Sequence, residues 1–566
     1  MTSRNNGAPS GTLPAGGARL RDVIALTLLL GLFFSLFLGS RALSVPDEGR
    51  YVEIPREMVV TGDWITPRLN GIKYFEKPPL FYWFESVLIK LFGLSEWSVR
   101  TGPAVFALFG CVAVYYAGAR MFGRRTGLIS AGVLATSLLY YVLSRLISLD
   151  MPVSVLLTAS LLSFLLGTRE PAGRTRRLLF RGFYAFAAMA TLTKGLIGIV
   201  FPGMIILSWM LVTGEWRVLR AMYLPSGLAL FLLVAAPWHI LVSRANPEFF
   251  DFYFIREHFQ RYLTNVHHHY KPAWFYLPIL IGGLFPWSVF LVQAVRHSLP
   301  LSWAGRAERK EEIFLMLWAG IIFLFFSASS SKLIPYLLPV LPPLALLVGK
   351  YLADAWDNNP AGGFSAGLAA LALMVSLLFL VFPYMARFRP GSIPAGIVPY
   401  AGAAAVVALC GIVAAGIAVR KRGARGAVIA ITGTSLLFFI VMSSGAQYVN
   451  TKSTKPLAMA LKPLLKADDE IVHYHNYFQD FPVYLERRVT IVDWKGELEF
   501  GTTVEDTSGW MIDEAELWKR WEGPHRIFLV AGKKDAKTIL GIPGRRVFPV
   551  AQDKNTAILS NKEPRP

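Results

Sequence analysis

Charge, cysteine and nucleotide-binding motifs are what this sequence has least of. Only 17% of its 566 residues are charged, against about 25% in soluble domains, while 54% are hydrophobic and the mean hydropathy is +0.45. A large part of so apolar a chain must sit in lipid. The two cysteines, Cys111 and Cys410, each lie inside an apolar stretch, which excludes a disulfide scaffold, and neither has the basic neighbour that a reactive thiol needs. No dinucleotide-binding fingerprint occurs, so no nucleotide cofactor is expected. Acidic residues are outnumbered by basic ones, 37 to 57, for a formal net charge of +20. The basic excess lies in short loops with no separate basic domain, so it points to topology and anionic membrane lipids rather than to nucleic acid. Internal repeats, including the inverted halves of secondary transporters, are missing.

What is present is a series of thirteen apolar stretches, at 23–40, 98–118, 127–143, 151–167, 182–193, 196–213, 221–241, 274–295, 312–328, 334–352, 363–384, 397–419 and 426–443. Most approach the roughly 20 residues needed to cross a bilayer; 182–193 is short. Met1 to Arg21 is rich in Gly and Ser, and the first apolar run lacks a small-residue cleavage pattern, so it reads as an uncleaved anchor. The basic loops at Arg120/Arg124/Arg125, Arg169 to Arg181, Arg217/Arg220, Arg306/Arg309/Lys310 and Arg420 to Arg425 fall on one side of a thirteen-span chain. The positive-inside rule makes that side, with the N-terminal tail 1–22, cytoplasmic. The membrane domain is 23–443, with exterior loops 41–97 and 242–273. The tail 444–566 then lies outside. It alternates strand-like runs (Ile471 to Tyr474, Val489 to Val492, Ile527 to Val530) with a helix-like stretch from Ile512 to Trp521. The fold class expected is therefore an α-helical polytopic membrane protein of about 13 transmembrane helices with a small C-terminal α/β soluble domain.

Charged residues gather on the exterior side. Asp47, Glu48 and Arg50 follow the first span, where Glu48 reads equally well as an ordinary solvated helix end. In Tyr74 to Pro79, Pro78 extends the chain at Lys77, so Glu76 and Lys77 should point opposite ways and serve two sites, unless they form a mutual surface ion pair. Lys77 suits a phosphate, and Glu76 suits a cation. In Arg256 to Tyr262, a helix over 251–263 would put His258 and Arg261 on one face. An imidazole and a carboxylate such as Glu76 form a partial ligand set for a divalent cation. His267 to His269 cannot all face one ion and read more simply as a basic loop. Arg145 and Asp150 at the fourth span, Lys194 at the end of the fifth, and Lys332 near Tyr336 at the mouth of the tenth bring further charge to the same side. Each lysine alone is a snorkelling side chain; together with the acids they suggest an anion site.

These segments resemble the membrane glycosyltransferases of the GT-C type and, within them, the bacterial aminoarabinose lipid A transferases. The resemblance rests on Pro46 to Tyr51, Tyr74 to Trp83, Arg145 to Pro152, Lys194-Gly195, Arg256 to Tyr262, Pro278 to Trp287, Lys332 to Pro339 and, in the tail, Trp494 to Leu498. It implies a sugar donor linked to undecaprenyl phosphate, a lipid A acceptor in the bacterial inner membrane, a periplasmic active site, and lipopolysaccharide modification of the kind that gives polymyxin resistance. Asp47, Lys77 and Asp150 would be catalytic. Arg50, Tyr74, Lys194, Arg261, Lys332 and Tyr336 would bind substrate, and Glu76 with His258 would hold a divalent metal of the zinc type. The tail would roof the cavity, its acids occupying ordinary turn and helix-start positions. Transfer to protein or another lipid would use the same plan. A lipid-linked sugar transporter would instead need charges at mid-membrane.

Overall fold

The computed structural model describes residues 16–260, 271–300, 302–357, 363–388, 394–449 and 452–563, the side chains of 256–260, 357 and 378–388 excepted. The chain is a bundle of apolar helices capped at one end by a helical loop and a mixed α/β domain. Each of the thirteen apolar stretches contains helix. Among the described residues six helices are long and apolar enough to cross a bilayer by themselves, and a seventh candidate is a bent pair. Leucines and isoleucines such as Leu228, Leu232, Leu233 and Ile240 project outward from the helix Leu224–Ala245, as a lipid-facing surface requires.

Three stretches differ from the simple expectation. The fifth, 182–193, belongs to a full-length helix, Arg174–Lys194, whose basic first turns hide it from an apolar count. The third is interrupted at Thr136–Ser137, and the eighth is split into Ala273–Gly283 and Trp287–Ser298, which meet at 104°. Pro286 has no N–H to continue a helix, and the freed Phe285 carbonyl accepts the Leu138 N–H at 3.1 Å. The Trp287 indole donates to Thr136 Oγ1 at 2.8 Å, so the two breaks satisfy each other's polar groups away from water. The last two stretches form two helices within Val398–Ser444, separated at Gly423, whose left-handed, non-helical backbone (φ 61°) breaks the segment among the basic residues. Close contact elsewhere depends on small residues: a Cβ on Gly127 would lie 2.5 Å from the Tyr115 carbonyl oxygen.

The basic loops converge at one end of the bundle. Arg120 pairs with Glu170, Arg169 with Glu311 and Lys310 with Glu215, while Arg125 and Arg425 both lie over the Trp356 ring, at 5.5 and 5.7 Å.

At the other end the loop 41–97 is built of helix Asp47–Thr61, a two-stranded hairpin (β1 Arg68–Leu69, β2 Ile72–Lys73) and helix Leu80–Phe92. The tail forms a six-stranded sheet from β3 (Glu470–Tyr474), β4 (Thr490–Val492), β5 (Met511–Ile512), β6 (Ile527–Gly532), β7 (Phe548–Gln552) and β8 (Thr556–Ser560), in the order β5-β4-β3-β6-β8-β7. The first four positions are parallel, and β8 is antiparallel to both neighbours. The expected strands are all present, but Ile512 closes β5 and the helix begins at Glu514. Strand residues alternate between two cores. Ile471, Ile491, Phe528 and Ile558 pack on Met58, Leu69, Ile72 and Phe81 of the loop. Val472, Val492, Leu529 and Leu559 pack on the tail's own helices through Leu517, Trp521 and Ile539. Loop and tail thus share a core. Asn70 seals it, exchanging two hydrogen bonds with the Val489 backbone at 2.9 and 3.0 Å.

Candidate active site

Helices Asp150–Arg169 and Arg174–Lys194 have nearly equal length and pack as a hairpin. The first residue of one therefore returns to the level of the last residue of the other, and Asp150 forms an ion pair with Lys194. The Lys194 ammonium also lies 4.8 Å from the centre of the Tyr336 ring. This pair forms part of the wall of an open cavity of about 240 Å³, which Glu76, Lys77, Ser329, Ser330, Ser331 and Tyr336 also line. Its remaining wall is apolar: Val153, Ile197, Phe201, Phe325, Phe326 and Pro339. Glu76 and Lys77 therefore serve one cavity and not two. Lys77 Nζ donates to the Glu76 carbonyl at 2.7 Å, which bends the side chain back on its own backbone.

A second charged group lies where the loop meets the tail. Arg50, one turn into its helix, pairs with Asp47 and with Glu497 of the tail, and Glu497 accepts a further hydrogen bond from Gln479 Nε2 at 2.9 Å. The Arg50 guanidinium approaches the Tyr74 hydroxyl at 3.4 Å and lies 5.1 Å from the centre of the Tyr51 ring. Burial works against the Arg50 cation, but Tyr74, Tyr51, Glu497 and Asp47 outweigh it and hold the group well above the usual arginine range. Burial pushes the Tyr74 and Tyr82 phenols well up, so both stay neutral, and the Tyr74 hydroxyl accepts from Arg50. Tyr51 links the two groups. Its phenol is driven up chiefly by burial, against Arg50, and further by Asp47 on one side and by Asp150 and Glu76 on the other. Tyr51 stacks on Tyr82, with ring centres 6.3 Å apart.

The structure thus brings Glu76, Lys77, Asp150, Lys194 and Tyr336 to one cavity and gathers Asp47, Arg50 and Tyr74 beside it. Other candidates are placed elsewhere. Lys332 is buried and donates to the carbonyls of Ser329 and Lys271, so it braces the serine loop without lining the cavity. Arg145 donates to the carbonyls of Phe34 and Leu36 and ties down the end of the first helix. Glu48 is no solvated helix end. Only 2% exposed, it is held by Arg41 at 2.8 Å and Arg100 at 3.0 Å, and it accepts the Ser44 N–H at 2.9 Å. His258 falls in the π-helix Asp251–Gln260, but its side chain, together with Arg261 and His267 to His269, lies outside the described residues. Sequence reasoning missed Glu497 as a site residue, although Trp494 to Leu498 was a matching segment. Of the tail acids expected in turns or helix starts, Asp506 caps a turn at Ser508 and Asp469 pairs with Arg526, whereas Glu470 opens strand β3, paired with Arg520, and Glu505 reaches across to Arg68 of the loop.

Comparison with known proteins follows this division of the chain. Residues 76–241 match the family profile described as dolichyl-phosphate-mannose-protein mannosyltransferase, and residues 457–558 match the aminoarabinose transferase C-terminal domain. The undecaprenyl phosphate-α-4-amino-4-deoxy-L-arabinose arabinosyl transferase of Erwinia tasmaniensis is 30% identical over 518 residues, covering 88% of this chain and 91% of its own. That of Edwardsiella ictaluri is 29% identical over 515 residues, covering 88% and 91%. The crystal structure of ArnT from Cupriavidus metallidurans bound to undecaprenyl phosphate superposes with a TM-score of 0.86 at 30% identity, over 97% of this chain and 99% of that one. Glu497 and Arg50 thus join the two parts of a polytopic membrane glycosyltransferase, and the chain belongs to the family of undecaprenyl phosphate-α-4-amino-4-deoxy-L-arabinose arabinosyl transferases.

Proposed function

We propose that this chain transfers 4-amino-4-deoxy-L-arabinose from undecaprenyl phosphate to a phosphate group of lipid A, at the periplasmic face of the bacterial inner membrane. One observation carries the reading. A single cavity offers Lys77, Lys194 and three serines beside an apolar wall of Phe201, Phe325 and Phe326, so a phosphate and a prenyl chain each find a fitting surface. The basic loops at the opposite end of the bundle support a cytoplasmic assignment for that end and, with it, a periplasmic cavity and tail.

In the reaction an oxygen of the acceptor phosphate attacks the anomeric carbon. The bond from that carbon to the donor phosphate oxygen breaks, and its electron pair leaves on undecaprenyl phosphate. The leaving phosphate gains negative charge while the sugar ring becomes cationic. Lys77 and Arg261, with the serine hydroxyls, would meet the first charge, and Asp47 and Asp150 the second. A phosphate acceptor is already ionised near pH 7, so no strong general base is needed, and Asp47 can act electrostatically while paired to Arg50. Glu76 and His258 would hold a divalent cation of the zinc type. The carboxylate at the cavity wall suits that role, and the cation would add positive charge near the phosphate. Transfer to a protein hydroxyl is the second reading, favoured by the mannosyltransferase profile over residues 76–241; it would require Asp47 free to take a proton.

Purified protein in vesicles, given the lipid-linked aminosugar and lipid A, should yield glycosylated lipid A by mass spectrometry, and Asp150→Asn should not. Equal product from Asp150→Asn, or transfer only to a peptide hydroxyl, would overturn the assignment.

A further inference from the structure

The carboxyl edge of the tail's parallel sheet brings three ligand-type side chains together. Register pairs Tyr474 with Val492 and Val492 with Ile512, so the residues that follow, His475, Asp493 and Asp513, leave the sheet side by side. Glu514 comes one position later, at the start of helix Glu514–Trp521. His475 Nε2 lies 2.9 Å from Glu514 Oε1 and 3.9 Å from Asp493 Oδ2, and one ligand atom from each residue falls within 4.8 Å of the others. Zinc bonds to nitrogen and oxygen of about 2.0–2.1 Å in a tetrahedron separate ligand atoms by about 3.3–3.4 Å, a spacing that the two histidine distances bracket.

We propose that His475, Asp493 and Glu514 form a binding site for a divalent transition cation of the zinc class, separate from the catalytic cavity. Two carboxylates and a neutral imidazole supply the charge and donors such an ion takes. Both carboxylates are oriented by neighbours: the Tyr474 hydroxyl donates to Glu514 Oε1 at 2.6 Å, and the Glu514 N–H donates to Asp493 Oδ2 at 3.1 Å. The His475 ring is stacked on Tyr474, with centres 4.0 Å apart, which fixes the direction of its Nε2. A plain ion pair between His475 and Glu514 would need neither the third strand nor Asp493. In open α/β sheets the carboxyl ends of neighbouring strands are where ligands are held. The three side chains are accessible, which leaves a fourth position for water or an external donor.

The test is zinc titration of the purified, chelator-stripped full chain in detergent near pH 7.5, with bound metal counted after desalting. His475→Asn and the double variant Asp493→Asn/Glu514→Gln should each lose one equivalent of zinc, with affinity at least tenfold weaker, whereas Glu76→Gln should keep that equivalent. Asparagine accepts the left-handed backbone of residues 475 and 493, and circular dichroism checks that both variants fold. Zinc binding by either folded variant that equals the wild type in stoichiometry and within twofold in affinity would overturn the proposal.

Discussion

The ion pair between Arg50 and Glu497 ties the tail to the loop beside the cavity, and Glu497→Gln tests whether the tail takes part in the site. The substitution keeps shape and a hydrogen-bond acceptor but removes one of the two carboxylates that hold the guanidinium. The two side chains are 15% and 13% exposed, so solvent screens their interaction only in part. Asp47, the remaining partner, is 66% exposed and cannot compensate fully. A hydrogen bond to a charged group contributes about 1.5–3 kcal/mol. At about 1.4 kcal/mol per factor of ten, kcat/KM should fall roughly 10- to 150-fold. The assay is transfer by purified protein from the lipid-linked aminosugar to lipid A. Gel filtration should show unchanged folding, because Gln479 and Tyr74 remain to meet the polar groups. Activity within about threefold of wild type, or roughly 0.6 kcal/mol, would refute the role given to Glu497.

Other expectations follow from the same contacts. Asp47→Ala and Lys77→Ala should abolish transfer yet leave membrane insertion intact, since both residues lie in the loop 41–97; retention of activity within about threefold would remove the residue concerned from the mechanism. Arg100→Ala should cost about 1–3 kcal/mol of stability, because it removes one of the two cations that hold the buried Glu48 carboxylate, leaving Arg41, and frees the carbonyls of Leu38 and Ala42; a detergent-stable protein with an unchanged melting midpoint would contradict this. In the tail, burial pushes His473 down to about 3, far below its unfolded value near 6.5. The unfolded chain alone takes up that proton between those values, so His473 lowers stability as pH falls below 6.5, by about 1.4 kcal/mol per unit. Asp480, pushed by burial up to about 6, acts oppositely as pH falls from 6 toward 3.8. His473→Asn should therefore gain on wild type in melting temperature as pH drops from 6.5 to 4.5, and parallel melting curves would refute the buried neutral histidine.

Hydropathy located the membrane helices because lipid-facing stretches must be apolar throughout, and the strands of the tail were legible from their short apolar runs. Interruptions were less visible. The break at Thr136 is stabilised by Phe285 and Trp287, about 150 residues away, and no local pattern records such a partner. The loop 41–97 was read for its charges, which masked two helices whose buried faces pack against a domain nearly 400 residues later. Asp150 and Lys194 could be brought together from the sequence because a helical hairpin fixes their level. Glu497 could not, since it meets Arg50 across 447 residues and lies in a segment with ordinary turn composition. Glu48 and Lys332 show how a charge near a site can be held by the fold itself. Each is a charge at a helix end that serves structure, one by pairing with Arg41 and Arg100, the other by donating to two carbonyls.

The most direct measurement is mass spectrometry of lipid A from cells with and without the gene, under conditions where the lipid-linked aminosugar is made. The account predicts lipid A species heavier by one amino-deoxypentose per modified phosphate, present only with the active gene and absent with Lys77→Ala. Identical lipid A in both strains, with the aminosugar found on a protein or another lipid, would contradict it.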